Sequence, residues 1–332
     1  MKAFPWHEAE FAAIARRKDA LPHALLLQGP RGIGKLAFAQ SLAQALLCEA
    51  PAANGLACGH CAACTWFEVG SHPDYRLVER GNKKDEEGEA AEKKPQIEVD
   101  QIRALADFVN MSSHRGGRKV VLVHPAEALN ANAANALLKS LEEPPPATHF
   151  LLVTHRPQQL LPTITSRCQR IGLRVPNAAM AGAWLAGEGV RQTELALAHT
   201  GQAPLAALEL EGTQYWGARA AFLRHITTPN LDVLSAAEAA QGCRIADVIA
   251  WLQKWSYDIS HYRVLGRVRY NPDHAEAIAR AAAGADGLEV LRFHREMVKL
   301  QAVAQHPLNA RLFIEQVLIA YRDCLQPQAA VA

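Results

Sequence analysis

Residues 25–48 read LLLQGPRGIGKLAFAQSLAQALLC. The stretch opens with a compact apolar run, passes through a glycine-rich loop and continues with apolar residues at helical spacing, so it predicts a buried strand, a loop and a helix in that order. The loop matches G-x-x-x-x-G-K, a pattern in which backbone N–H groups, a helix N-terminus and a lysine surround phosphate groups. Gly29, Gly32, Gly34 and Lys35 are therefore the predicted phosphate-binding residues.

The same loop lacks two parts of an ATP-hydrolysing site. Position 36, where a Ser or Thr hydroxyl normally ligates Mg²⁺, is Leu36. An acidic pair should follow the strand predicted at 120–123, but His124 and a proline stand there. We therefore expect no independent ATPase activity, and the sequence leaves open whether Lys35 still holds a nucleotide. The alternative is an active P-loop ATPase that uses a displaced acid, Glu127 or Glu142.

The chain outward from this loop alternates between predicted strands and helices. The strands are predicted at 25–28, 75–78, 120–123, 150–153 and 169–173. Helices are predicted between them, one over 127–143 and one with Asp100 as its N-cap. Such alternation predicts a doubly wound parallel sheet covered on both faces, an α/β fold. After Pro176 the pattern becomes helical to the end of the chain.

Four of the seven cysteines lie close together, at positions 48, 58, 61 and 64. Four thiolates saturate a tetrahedral Zn²⁺ ion and leave no position for a catalytic water. Cys48, Cys58, Cys61 and Cys64 thus predict a structural zinc site. An iron–sulfur cluster and replacement of one thiol by His60 are the alternatives.

Composition narrows the function classes. Lys and Arg total 35 against 33 Asp and Glu, a net charge of +2 that argues against coating nucleic acid by bulk charge. The best basic patch for a freestanding DNA-binding protein is 114–119. The chain has no apolar run long enough to span a membrane, shows no secretory signal, and has an odd number of cysteines, so we expect a reducing, cytoplasmic setting. Eleven of the sixteen residues at 79–94 are charged, which predicts a flexible insertion.

Arg167 stands just before the last predicted strand, in the segment Ser166-Arg167-Cys168. A planar, permanently charged guanidinium at a sheet edge can reach a phosphate of a neighbouring molecule. It can equally form a surface ion pair with a carboxylate. The residues alone favour the ion pair.

Taken together, these segments resemble subunits of the bacterial clamp loader, the AAA+ assembly of the DNA polymerase III holoenzyme. The resemblance is carried by LLLQGPRGIGK at 25–35, the four-cysteine insert, ANAANALLKSLEEPPP at 131–146 and FLLVTHRPQQLLPTITSRCQR at 150–170. It implies an AAA+ domain over 1–175, which contains a four-cysteine zinc module at 48–64 and the insertion at 79–94. It further implies a helical lid over 176–212 and a helical collar over 213–332 that joins the subunits into a ring.

Within this family the motor subunits carry G-K-[ST], an acidic pair and a G-x-x-R motif. This chain has Leu36, His124 and Gly201-Gln202-Ala203-Pro204 in those places. The resemblance therefore implies the nonhydrolysing stator, with Arg167 as an arginine finger donated in trans to ATP on the adjacent motor subunit. The implied partners are the motor subunits and the delta subunit in a hetero-oligomeric ring and, through that complex, the sliding clamp and primed DNA.

Overall fold

The computed structural model describes residues 4–84, 90–93, 96–114, 117–228, 230–304 and 309–325. The chain divides into two units, one ending at Asn177 and the other beginning at Ala178. The strands all lie in the first unit: β1 (Ala24–Gln28), β2 (Tyr75–Glu79), β3 (Asn82–Lys84), β4 (Ala90–Lys93), β5 (Lys119–His124), β6 (Thr148–Thr154) and β7 (Gln169–Gly172).

Helices account for most of the remaining described residues. Those of the first unit are α1 (Glu8–Ala15), α2 (Lys35–Leu47), α3 (Ala62–Glu68), α4 (Val99–Asn110), α5 (Ala131–Glu142) and α6 (Pro162–Thr165). Those of the second are α7 (Ala178–Gly187), α8 (Thr193–Thr200), α9 (Pro204–Leu210), α10 (Tyr215–Ile226), α11 (Val233–Ala239), α12 (Ile245–Leu265), α13 (Ala275–Gly284), α14 (Gly287–Val303) and α15 (Ala310–Leu325). Short 3₁₀ turns occur at Pro5–His7, Lys18–Ala20, Ala126–Ala128, Pro157–Gln159 and Pro272–His274.

Five strands form one parallel sheet in the order β2-β5-β6-β1-β7, which confirms the predicted α/β fold class. Alternate strand residues, such as Leu26, Val121 and Leu152, share an apolar core with residues of α4 and α5. The intervening residues point to the other face, where α2 packs. Because both faces are covered, the three central strands β5, β6 and β1 contain continuous apolar runs, the property that made them visible in the sequence.

The starts of two helices, α4 and α5, differ from the sequence prediction. The helix predicted over 127–143 begins at Ala131, because the Asn130 side chain accepts the Ala133 N–H at 2.8 Å and caps it. Glu98, not Asp100, caps α4, in a reciprocal capping box with Gln101.

The charged segment at 79–94, predicted as a flexible insertion, contains regular structure in part. The antiparallel pair of β3 and β4 lies inside it, while 85–89 and 94–95 fall outside the described residues.

The second unit is entirely helical over its described residues and contains two apolar cores. One joins α7, α8 and α9 through Ala181, Leu185 and Leu197. The larger core lies among α10 to α15 and includes Trp251 and Trp255, each 1% exposed. Among the described residues, none of the helices combines the length and apolar character that a bilayer crossing requires.

Candidate functional site

The phosphate loop lies between the carboxyl end of β1 and the first residue of α2, as the sequence predicts. Gly29, Gly32 and Gly34 all have positive φ, so the backbone turns through conformations that favour glycine. Lys35 is only 2% exposed, and its ammonium donates to the carbonyl of Pro30 within the loop itself. Burial lowers the pKa of Lys35 to about 8, a shift that the negative charge of Glu127 opposes.

A carboxylate does lie near this lysine, although not at the end of β5. Glu127 belongs to the short turn after that strand, and its Oε1 accepts the backbone N–H of His155 at 3.0 Å. The ring of His155 contacts the ring of His124 edge to face. Burial, followed by the charge of Lys35, lowers the pKa of His155 to about 4. Two histidines and one displaced carboxylate thus occupy the place of the expected acidic pair.

The four predicted metal ligands come together. The Sγ atoms of Cys48, Cys58, Cys61 and Cys64 all lie within 4.8 Å of one another, with Cys48–Cys61 and Cys58–Cys64 both at 3.9 Å. Tetrahedral zinc with bonds of about 2.3 Å requires sulfur atoms about 3.8 Å apart, so the group fits such an ion. His60 instead directs its Nδ1 to the carbonyl of Cys58. This cluster can therefore hold a metal ion through four sulfur ligands.

Local hydrogen bonds preorganise these sulfurs. The backbone N–H groups of Cys58, Cys61 and Cys64 point at the Sγ atoms of Cys48, Cys58 and Cys61, at 3.2, 3.4 and 3.4 Å. Cys61 is also the N-cap of α3, so one helix start holds two of the ligands. N–H groups directed at sulfur favour thiolates, the form that binds metals.

Arg167 lies just before the amino end of β7. The phosphate loop lies at the opposite end of the parallel strands, after the carboxyl end of β1. The guanidinium of Arg167 pairs with the carboxylate of Glu142 at 2.6 Å and donates to the Thr163 carbonyl at 3.0 Å. Its side chain is 35% exposed and that of Glu142 is 48% exposed. The surface ion pair considered from the sequence is thus the contact that this chain makes by itself.

The sheet register fixes how far Arg167 lies from the phosphate loop. Gln169 pairs with Leu25, four residues before Gly29, and Arg167 precedes Gln169 by two residues. At about 3.3 Å per residue, the strand between Leu25 and Gly29 alone spans about 13 Å, and Arg167 lies in the turn that precedes β7. A fully extended arginine cannot cover that distance. Glu142 is at the same edge as Arg167, so it is not the displaced acid of the phosphate loop.

Within the basic patch predicted at 114–119, Lys119 contributes no exposed charge. Lys119 is 4% exposed, and its ammonium donates to the carbonyls of Phe108, at 2.5 Å, and Met111. Residues 115 and 116 lie outside the described residues.

Comparison with known proteins gives the family. A family model described as "DNA polymerase III, delta subunit" matches residues 9–177. DNA polymerase III subunit delta' of Pseudomonas aeruginosa is 42% identical over 268 residues, 79% of this chain and 78% of that protein. The chain belongs to the DNA polymerase III delta' family.

Two further relatives bear on the extent of the likeness. Subunit delta' of Yersinia pestis is 30% identical over 343 residues, 98% of this chain and 97% of that protein. Subunit tau of Escherichia coli is 36% identical over 152 residues, 46% of this chain and 22% of tau. The delta' likeness extends over both units, and it confirms the resemblance to clamp-loader subunits.

Sequence reasoning missed one group of residues at the phosphate loop. The rings of Phe4 and Trp6 stack with centroids 4.8 Å apart, and the Trp6 Nε1–H donates to the carbonyl of Ile33 at 2.9 Å. His7 is fully buried and packs edge to face on Phe38 of α2. The available signal was three aromatic or imidazole rings within four residues, in a chain with only 6% Phe, Trp and Tyr.

Proposed function

We propose that this delta' family member is the nonhydrolysing stator of the clamp loader and donates Arg167 in trans to ATP held by an adjacent motor subunit. The observation that carries the proposal is the position of Arg167 before the amino end of β7, which the sheet register separates from the chain's own phosphate loop by at least about 13 Å of strand. Any phosphate that Arg167 contacts therefore belongs to another chain. A guanidinium placed there would stabilise charge that develops on the transferred phosphoryl group.

The chain's own loop supports the nonhydrolysing half of this proposal. Leu36 offers Mg²⁺ no ligand, and His124 stands where a carboxylate should position the ion. Lys35 donates to Pro30, so its ammonium is engaged within the loop. The residues that would hold Mg²⁺ and activate the attacking water are therefore not in their usual places here.

The ion pair between Arg167 and Glu142 is compatible with a finger that leaves it. Both side chains are more than one third exposed, and exposed pairs contribute less than about 1 kcal/mol. Release of Arg167 toward a neighbour's phosphate thus costs little. Until then Glu142 and the Thr163 carbonyl hold the guanidinium at the sheet edge.

The test is the ATPase activity of motor subunits reconstituted with this chain, the delta subunit, the sliding clamp and primed DNA. Arg167→Ala should lower the stimulated turnover at least tenfold, since an arginine finger is worth about 10³–10⁵ in rate at the site it serves. Glu142→Gln should leave turnover within about twofold, because it breaks only the resting pair. Arg170→Ala is the matched control, an exposed arginine three residues further along, in β7. Unchanged turnover in an Arg167→Ala complex that assembles normally on size exclusion would overturn the proposal.

We also propose that the ion held by the four cysteines is Zn²⁺ in a purely structural role. Four sulfur ligands with spacings near 3.9 Å support this, since they leave no open coordination position. Bound zinc would tie the start of α3 to Cys48, directly after α2. The metal content of the purified chain is the direct test, and stoichiometric iron in place of zinc would refute the assignment.

The remaining expectations on architecture and partners belong to the same proposal. A lid over 176–212 and a collar over 213–332 are supported by two separate apolar cores, one among α7–α9 and one among α10–α15. The collar would join the motor and delta subunits in a ring, in the cytoplasm.

A second candidate, an active ATPase, is favoured by one observation. Glu127 lies close enough to Lys35 for its charge to raise the pKa of that lysine, so a displaced acid is present at the loop. Robust turnover by the isolated chain, abolished by both Lys35→Ala and Glu127→Gln, would establish this function and refute the stator.

A further inference from the structure

The phosphate loop of this chain is covered by its own N-terminal segment. Phe4, Trp6 and His7 form a continuous set of rings over the loop and the first turns of α2, a feature that we call the aromatic cap (residues 4–7). The cap precedes α1 and joins no strand of the sheet. Its contacts are directed at the residues that a bound phosphate would need.

The contact with Gly34 is the closest. A Cβ placed on Gly34 would lie 2.3 Å from a ring carbon of Phe4, so the ring rests directly against the glycine backbone. Gly34 has φ +91° and immediately precedes Lys35, at the point where N–H groups at the start of α2 would meet an anion. A side chain in that position leaves little room for a nucleotide.

Trp6 fixes the cap to the loop by a directed bond. Its indole N–H donates to the carbonyl of Ile33, and its ring lies parallel to that of Phe4, with 3° between the two planes. Ile33 is fully buried and Lys35 is 2% exposed, so this part of the loop is closed to solvent. An open phosphate loop presents its backbone N–H groups to solvent.

His7 anchors the other end of the cap. Its imidazole is fully buried and meets Phe38 edge to face, with the ring centroids 5.7 Å apart. Phe11 of α1 also packs on Phe38, at an equal centroid distance. The cap therefore continues into the packing of α1 on α2, and it is built into the fold.

We propose that the aromatic cap is an internal occupant of the phosphate loop that excludes nucleoside triphosphates from this chain. The inference rests on the proposed nonhydrolysing function and adds the means by which the loop is kept empty. Nucleotide can enter only in conformations from which the cap has moved. The apparent dissociation constant is then the intrinsic one divided by the population of those conformations.

The experiment measures binding of a fluorescent ATP analogue to the full chain, with and without Mg²⁺. We expect weak binding by the wild type, and binding at least about tenfold tighter by the double variant Phe4→Ala/Trp6→Ala, because the competing rings are gone. Adding Lys35→Ala to the double variant should remove the gain, which would place the ligand in the phosphate loop. Trp66→Ala is the matched control: it removes an aromatic ring from α3 and should leave the dissociation constant unchanged.

A conservative variant keeps the test sound if the double variant unfolds. Trp6→Phe retains a ring but loses the hydrogen bond to Ile33, so it should tighten binding by a smaller factor with the circular dichroism spectrum unchanged. Equal affinity in wild type and folded cap variants would overturn the inference. Weaker binding in the variants would overturn it too, since the rings would then be a stacking platform for the base.

ATP turnover, measured for the same variants, distinguishes failure of this inference from failure of the proposed function. A cap variant that binds the analogue tightly without turning over ATP supports both. Tight binding with turnover supports the cap and refutes the nonhydrolysing stator. Turnover by the wild-type chain, with its cap intact, at ordinary ATP concentrations refutes both.

Discussion

Lowering the pH from 7 to 5 should destabilise the helical unit by about 2 kcal/mol through one buried histidine, His199. His199 lies in α8 and is fully buried. Its Nε2 lies 2.7 Å from the hydroxyl of Tyr215 and 3.0 Å from the ammonium of Lys254. An ammonium can only donate, so Nε2 must accept and the imidazole is neutral. Burial, followed by the positive charges of Lys254 and Arg219, lowers the pKa of His199 to about 2.

The sign follows from proton counting. In the unfolded chain His199 binds a proton with a pKa near 6.5, whereas in the folded protein its pKa is about 2. Between those values the unfolded state binds more protons, so the free energy of unfolding falls by about 1.4 kcal/mol for each pH unit removed. Integrated from pH 7 to 5, the loss is about 2 kcal/mol. The pKa of Lys254 is lowered to about 8, above this window, so that lysine stays mostly charged in both states and adds little.

Urea unfolding of the wild type and of His199→Gln, each at pH 7 and pH 5, measures the effect. A glutamine amide oxygen can still accept from Tyr215 and Lys254, but it does not titrate. The variant should therefore lose about 2 kcal/mol less than the wild type between the two pH values. Equal losses would refute the reasoning, as would an imidazole NMR titration of the folded protein with a midpoint near 6.5.

Two further perturbations test other parts of the molecule. Arg219→Ala should cost about 3–5 kcal/mol of unfolding free energy, because Arg219 is 2% exposed and pairs with both oxygens of Asp273, at 2.7 and 3.0 Å. A loss below about 1 kcal/mol in urea titrations would contradict that role. Removing the metal with a chelator, or substituting Cys48→Ser, should lower the melting temperature of the first unit. Cys243→Ser, outside the cluster, should leave metal content unchanged, and equal metal loss in both variants would argue against the four-cysteine site.

The sequence predicted the parallel sheet well because its strands carry their own signal. Runs such as 120–123 and 150–153 are apolar at every position, as strands covered on both faces must be, and β5 and β6 extend them by only one or two residues at each end. The phosphate loop and the cysteine cluster could also be predicted, since their residues lie close together along the chain. The start of α5 was missed by four residues because capping by Asn130 outweighs the apolar stripe that begins earlier.

The contacts that could not be predicted join residues far apart in the sequence. The aromatic cap meets Ile33 and Gly34 about thirty residues later, and no spacing rule connects them. Glu127 and His155 belong to different strand ends and meet only because β5 and β6 are neighbours. Propensity and periodicity describe a segment and its own helix or strand, so pairings between segments need the fold.

For Arg167, the fold adds the position of the side chain relative to the phosphate loop. The residues around Arg167 alone favoured a surface ion pair, and only the resemblance to clamp-loader subunits implied an arginine finger donated in trans. The register of β7 on β1 places it at the amino edge of the sheet, whereas the phosphate loop lies at the carboxyl edge. If Arg167 acts in trans and the aromatic cap excludes nucleotide, as proposed, the amino edge of the sheet serves a neighbouring subunit and the carboxyl edge takes up no nucleotide. A subunit with that polarity would complete a neighbour's ATP site without forming one of its own.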